Sequence, residues 1–361
     1  MKRILFVSRT DGTDVRIRKE VHSLLNEGAS VSVFVCNSDK KHPLGFTKNR
    51  LNIINIRTKF GSMPSSKLLS LLFIFLKVFS MSLSGKYTSL HAVDEEMMIP
   101  CLIARTFRKV VVLDLFDSVE LKFSNSSYIV KRIMLLVSVL AKNLATCIIV
   151  TDPLRHKLLS ATHQEKAVVV PNYPALYALT SSDVIDEPIE DGESSLFLGG
   201  TLYESRGLDT IIKALGIDPN IHVHCAGWVY DDVAENFIKH KQVTYHGVLS
   251  QEEAYSVCRQ CLVNVALYKP NNLNNIYASP NKVYDSLCMG QYVFLNSETK
   301  LSKWISKSPL VKVFSYDDAQ SLVDSFQLCR KGSFNRTGRW YRKIFTWEQY
   351  ESRLVAAHAA D

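Results

Sequence analysis

Two stretches of the chain carry residue types and spacings that suit an anionic ligand. In "NNIYASPNKVYDSLCMGQYVFLN" a chargeless, asparagine-rich run turns into Ser279-Pro280-Asn281-Lys282, and an apolar-periodic segment follows. A lysine in the first turn of a helix opposes the helix dipole, so an anion at that helix start is expected to offset it. Asp285 lies one turn further along the same face and suits hydrogen bonds from a ribose diol, although an acid there also complements the dipole on structural grounds alone. The second stretch is "FLGGTLYESRGLDTIIKAL", a strand followed by Gly199-Gly200-Thr201, a polar turn with Arg206, and a helix beginning near Gly207. Glycines at a strand end let a ligand approach the backbone, and an arginine beside a helix start suits phosphate. A lone arginine in such a turn is more often simple surface. Paired in one domain, the two stretches point to a nucleoside diphosphate.

Other chemistries fall away. The first turn, "SRTDGTDVR", holds one glycine, so the dinucleotide pattern G-x-G-x-x-G is absent, as are a phosphate-binding G-x-x-x-x-G-K-[ST] and a nucleophile elbow. Cys258 and Cys261 form a lone C-x-x-C, better read as core cysteines than as a zinc site. No metal and no cofactor are expected. Eight scattered cysteines and a start that reads as a strand suggest a reducing cytoplasm.

The 361 residues carry a formal net charge of +8. Residues 1–175 hold 25 Lys+Arg against 13 Asp+Glu, net +12, and residues 176–361 hold 18 against 22, net −4. The basic half is expected to meet something anionic such as a membrane surface. It lacks the aromatic-interleaved basic stripe of nucleic-acid binders, so no nucleic acid is expected.

Short apolar runs alternate with helical patterns, as in "RILFVS", "SVSVFVC", "KVVVLDLFD" and "CIIVTD", which is the rhythm of a parallel sheet covered by helices. An acidic, proline- and serine-containing stretch from Tyr173 to Glu193 reads as a linker, after which the rhythm restarts. The expected organisation is two doubly wound α/β domains, 1–175 and 176–339, with a final aromatic-rich helix over 340–361 crossing back onto the first. A helix is expected around 95–107. Two further helices, over 64–83 and 127–145, are rich in apolar residues and carry lysines. Core burial and docking on a membrane surface both remain open for them.

The order of these features resembles glycosyltransferase family 4, of the GT-B fold. The similar pieces are "DVRIRKEVHSLLNEGASVSVF", "VVVLDLFDSVE", "CIIVTDPLRHKLL", "VVVPNYP", "GGTLYESRGLDTIIKA", "YHGVLSQEEAYSVCRQC", "ASPNKVYDSLCMGQYVF" and "FTWEQYESRL". The resemblance implies two Rossmann-like domains facing across a cleft and a retaining, metal-independent transfer of a sugar from a nucleotide-sugar donor, UDP- or GDP-linked. It implies a donor site of Gly12, Gly199, Gly200, Thr201, Arg206, Ser279, Pro280, Asn281, Lys282 and Asp285. The family's basic phosphate pair falls on Thr201 and Arg206, so one of two cations survives. Its E-x7-E pair falls on Tyr277 and Asp285, so the first acid is lost. The acceptor side is implied at Asp11, Asp14 and Asp117, with His91 and Asp94 joining Arg206 and Lys282 as catalytic candidates. His91 as a structural histidine is an equal reading. A glycan or lipid-linked acceptor in surface polysaccharide or lipopolysaccharide assembly is expected, with peripheral attachment at the inner membrane face. A non-catalytic scaffold of the same fold and a nucleotide-sugar epimerase are the alternatives.

Overall fold

The computed structural model describes the chain apart from residues 41, 59–63, 124–125, 181–192, 333–337 and 360–361, and apart from the side chains of 64–68, 180, 193 and 194. The described residues form two compact units, Met1–Asn172 with Tyr350–Asp361, and Tyr173–Gln349.

The first unit is built on strands β1 (Arg3–Val7), β2 (Ser30–Cys36), β3 (Leu51–Ile56), β4 (Ser89–Val93), β5 (Val110–Leu115), β6 (Cys147–Val150) and β7 (Ala167–Val169). They lie in the order β3-β2-β1-β4-β5-β6-β7, every pairing parallel. The second unit has β8 (Glu193–Gly199), β9 (His222–Ala226), β10 (Val243–Tyr245), β11 (Cys261–Ala266), β12 (Tyr292–Asn296) and β13 (Val311–Phe314), ordered β10-β9-β8-β11-β12-β13 and again all parallel. A parallel sheet is covered on both faces, which is why the inner strands read as nearly unbroken apolar runs. Strand order reverses between β1 and β4 in the first sheet and between β8 and β11 in the second. Ligands of such sheets sit outside the carboxyl ends of the strands at these reversals.

On one face of the first sheet, Leu5, Val7, Leu90, Ala92, Val111 and Leu113 pack with Ile74 and Val78 of helix Pro64–Leu83, with Met97, Met98 and Cys101, and with Ala141 of helix Tyr128–Leu144. The alternate residues face helix Val15–Asn26, where Ile17 and Val21 are fully buried.

Three expectations are corrected. The stretch Tyr173–Thr180 is no loose linker: Tyr173 and Ala175 are buried, Leu176–Thr180 is helical, and the acidic part lies outside the described residues. The helix expected at 95–107 ends as an α-helix at Cys101, after Pro100, and continues as the 3-10 segment Leu102–Phe107. The tail is three short pieces, Arg339–Arg342, Trp347–Gln349 and Glu351–Ala357, rather than one helix. Its aromatics as far as Trp347 belong to the second unit, where Phe345 meets Tyr284 at 5.3 Å and Tyr173 at 5.1 Å between ring centroids, and the chain from Tyr350 onward belongs to the first.

Candidate functional site

The second unit assembles its candidate site at the reversal between β8 and β11. After β8 the chain passes through Gly200 at φ +103°, and the Leu202 to Val229 bridge joins this loop to the one following β9. A Cβ on Gly227 would lie 1.8 Å from the Gly200 carbonyl oxygen, so the two backbones touch where only glycine fits. The single turn Glu204–Arg206 follows, then Gly207 at φ +76°, then helix Leu208–Ile217. A Cβ on Gly207 would meet Leu267 at 2.7 Å, which binds this turn closely to the end of β11. The Lys269 amide donates to the Ser205 carbonyl at 3.0 Å, and the Lys269 ammonium pairs with Glu204.

Arg206 is held between two rings, its guanidinium carbon 4.1 Å from the Tyr268 centroid and 4.7 Å from that of Tyr203. Its Nη1 is buried and, among the described residues, has no hydrogen-bond partner. Lys282, half-buried on helix Asn281–Met289, reaches the Val265 carbonyl only at 3.4 Å. Burial first, and then the neighbouring Arg206 charge, push its ammonium down to about 7. Among the described residues neither cation has a carboxylate partner within ion-pair distance. Pro280 caps the helix without a side-chain acceptor, and of the first-turn amides that of Val283 donates to the Pro280 carbonyl at 3.1 Å. Two neighbouring cations beside a helix start with no side-chain cap are an arrangement whose chemistry suits a multiply charged anion.

Gly199, Gly200, Thr201, Arg206, Ser279, Pro280, Asn281 and Lys282 all lie on the loops and helix starts at this reversal, with Thr201 exposed. Ser279 turns inward, its hydroxyl 2.7 Å from that of Tyr284. Asp285 departs from its expected role: its carboxylate is buried and bonded by the Tyr255 hydroxyl, which Gln251 also reaches at 2.8 Å. A carboxylate has further lone pairs, but this one points into the unit. Sequence reasoning missed Tyr203, Tyr268, Gly227 and the exposed pair Trp228 and Tyr230 beyond β9. The glycine after a strand in "HCAGWVY" was the available signal.

In the first unit the loop after β1 holds Asp11, Gly12 and Asp14 at the other strand-order reversal. Gly12 has φ +83°, and a Cβ there would meet Val35 at 2.7 Å. Asp11 accepts from the Thr13 amide and hydroxyl at 3.0 and 2.7 Å, and Asp14 caps helix Val15–Asn26 through the Arg16 amide at 2.8 Å. Asp94, just past β4, has φ +61° and accepts from the Phe116 and Asp117 amides at 3.0 and 3.1 Å and from Lys122 at 2.5 Å. Burial pushes it up to about 6 against the pull of Lys122. It fixes the loop that carries Asp117, itself paired with Arg155 at 3.1 Å.

His91 is not at this edge. It sits within β4, fully buried, stacked on Phe6 at 4.1 Å and bonded to Asp114 at 3.3 Å and His358 at 3.1 Å. Odd and even residues of a strand face opposite ways, and His91 falls on the packed helix side, so the reading of it as a catalytic group is corrected to a structural one. Arg16 closes the cluster, bonding Asp114 at 3.0 Å and Glu20 at 2.9 Å. Glu20, His91 and Asp114 bring ligand atoms within 4.8 Å of one another, the spacing of a metal site, with the Arg16 guanidinium supplying positive charge among them. Burial raises Glu20 well above the usual carboxylate range.

No family model matches the chain, and no curated protein sequence does, whereas 322 chains of solved structures match. Sucrose-phosphate synthase from Thermosynechococcus elongatus is similar at TM-score 0.74 and 16% identity, covering 99% of this chain and 98% of that one. HepE from Anabaena, in complex with UDP and glucose, is similar at 0.75 and 11%, covering 100% of both. A structure assigned as a UDP-N-acetylglucosamine 2-epimerase of Listeria monocytogenes is similar at 0.65 and 10%, covering 99% and 96%. These likenesses span the chain and, with the two parallel sheets, bear out the GT-B fold that the sequence pieces resemble.

Proposed function

We propose that this protein is a glycosyltransferase that takes a sugar from a nucleoside-diphosphate donor held by its second unit. The observation that carries the reading is the pair Arg206 and Lys282, adjacent, without carboxylate partners among the described residues, at the strand-order reversal where such sheets bind ligands. UDP in the similar HepE structure supports the same ligand class.

In the proposed reaction the acceptor oxygen bonds the anomeric carbon on the face from which the diphosphate departs, so configuration is retained. The bond to the phosphate oxygen breaks, and that oxygen takes the acceptor proton. Positive charge develops on the sugar and negative charge on the diphosphate. Arg206, Lys282 and the amides opening at Asn281 meet the latter, as preorganised cations and dipoles do most effectively. Gly199 and Gly200 let the diphosphate approach the backbone, and Trp228 and Tyr230 offer ring faces for a base. The protein's own cations do this work in a metal-independent reading. The acceptor, a glycan or lipid-linked glycan of surface polysaccharide assembly, is assigned to the first unit around Asp11, Gly12, Asp14, Asp94 and Asp117, with the protein peripheral at the inner membrane face.

The test is thermal stability against UDP, GDP, ADP, dTDP, CMP and NAD, followed by radiolabelled transfer onto lipid extracts. A ligand at one hundred times its dissociation constant stabilises by about 2.7 kcal/mol. One diphosphate should stand out, and silence across the panel would sink the reading. The likeness to the assigned epimerase favours a second one, in which the same pocket turns over the nucleotide sugar with no acceptor present. Product formation without acceptor decides for it.

A further inference from the structure

Helix Tyr128–Leu144 is folded inside out. Beside Ala141, its buried residues are polar: the Ser138 hydroxyl lies 3.1 Å from Glu95 and 2.9 Å from Glu120, and the Lys142 ammonium lies 2.6 Å from Glu120 and 3.5 Å from Glu95. Its outward side is apolar, with Ile129, Ile133, Leu136, Leu140 and Leu144 at spacings of three and four residues, one continuous stripe, and Leu136 is 71% exposed. Helix Pro64–Leu83 is apolar on both sides. Ile74 and Val78 enter the core, while Leu69, Leu72, Phe73, Leu76, Phe79 and Leu83 stand outward, Leu76 at 60%. Both helices pack on the same face of the first sheet and against the segment Leu102–Phe107, whose Phe107 is 57% exposed.

Burying an apolar stripe is the dominant favourable term in folding, so a chain that turns two such stripes outward and seats charges beneath one of them has a partner for the stripes. The charges name its chemistry. Neither helix contains an acidic residue. The exposed charges among their described side chains are Lys77, Lys131 and Arg132, and Arg105 and Arg108 stand exposed beside Phe107. A second copy of this face would set cation against cation. No helix among the described residues is long and apolar enough to cross a membrane, so the surface lies on a bilayer rather than in it.

We infer that the outer faces of Pro64–Leu83 and Tyr128–Leu144 form one docking surface for a bilayer containing anionic lipid. This rests on the proposed lipid-linked acceptor and names the surface that brings the enzyme to it. Apolar side chains enter the acyl boundary while the lysines and arginines meet headgroup phosphates.

The experiment is co-sedimentation of the full chain with extruded vesicles of phosphatidylcholine alone and of phosphatidylcholine mixed with phosphatidylglycerol, whose negative surface attracts lysine and arginine at about 1 kcal/mol each. The protein should pellet with the anionic vesicles and stay largely in solution with the neutral ones. Leu76→Glu with Leu136→Glu, both at exposed positions, should weaken binding about tenfold or more. Lys131→Glu with Arg132→Glu should do so in the anionic vesicles alone. Unchanged melting temperature and an unchanged shift with UDP show that the variants are folded, and keep this test separate from that of the donor site. If UDP fails to shift the protein while vesicles still bind it, the docking surface stands and the transferase reading falls. Wild-type protein remaining in solution with both vesicles would overturn the inference, and so would a dimer in size-exclusion chromatography that Leu136→Glu converts to monomer.

Discussion

His91 Nδ1 and His358 Nε2 lie 3.1 Å apart in the core of the first unit, so one proton is shared between two rings. The ends of the chain of bonds fix where it sits. Asp114 accepts from His91 Nε2, which makes Nδ1 an acceptor for His358 Nε2–H, and His358 Nδ1, 2.7 Å from the Ser89 hydroxyl, accepts in turn. Both rings are neutral in this arrangement, and a second proton would point two N–H groups at each other.

Burial, and for His358 the neighbouring His91 next, hold the two imidazoles below their usual range. As pH falls below about 6.5 the unfolded chain takes up protons that the folded rings refuse, so their contribution is full above that pH and is lost on acidification, at up to about 1.4 kcal/mol per unit for each ring. Glu20, and Glu95, which burial pushes up to about 7, act in the opposite sense, since the folded state protonates them first. The comparison that isolates the ring is wild type against His358→Gln. The variant is expected to be about 1–3 kcal/mol less stable at pH 7.5, and the gap should close between pH 6.5 and 5. A gap independent of pH would show that His358 does not titrate on unfolding.

Lys282, with its ammonium pushed down to about 7, is partly neutral in the free protein at neutral pH. A diphosphate beside it favours the charged form, so binding should take up a proton, and affinity should fall as pH rises through 7. Calorimetry of UDP binding in buffers of different ionisation enthalpy reads the proton count directly. Lys282→Arg is expected to remove the uptake, and uptake that survives it assigns the proton elsewhere.

Arg206→Ala is expected to weaken the diphosphate by roughly 1.5–3 kcal/mol, the range for a hydrogen bond to a charged group. Melting temperature should change little, because the lost guanidinium leaves behind no buried polar partner of its Nη1 among the described residues. Equal losses of stability and affinity would move Arg206 from the site to the scaffold.

Two glycines of one loop separate backbone strain from crowding. Gly200→Ala meets open space at φ +103° and is expected to cost about 1 kcal/mol, the backbone term alone. Gly207→Ala adds a contact of 2.7 Å with Leu267 at φ +76° and should cost about 1–3 kcal/mol more. Denaturant melts of the two give the order, and the reverse order would contradict the tight seam between Gly207 and β11.

The sheets were legible because buried parallel strands write themselves as apolar runs, and the loops after β8 and β11 because glycine pairs and helix starts are local features. His91 was not, since its partners sit 23 and 267 residues away and a lone histidine in "SLHAV" has the same spelling on either face. Asp285 was placed on the correct helix, but the side on which Tyr255 waits is a matter of packing. Helix Tyr128–Leu144 misleads most directly. Its apolar periodicity is real, and what lies beneath it is set by Glu95 and Glu120, which come from other segments.

The chain leaves the first unit after Asn172 and returns to it at Tyr350. On the ribosome, the second unit therefore has its whole sequence available while the first still lacks a piece. Ser89 and His91 emerge early, yet the ring that bonds them both, His358, follows the whole second unit in sequence. Domains otherwise tend to fold from the N-terminus as they are made. Of the two units, the one translated first is the one whose sequence is completed last, so a chain cut before Tyr350 would carry all of the second unit and an unsealed first one.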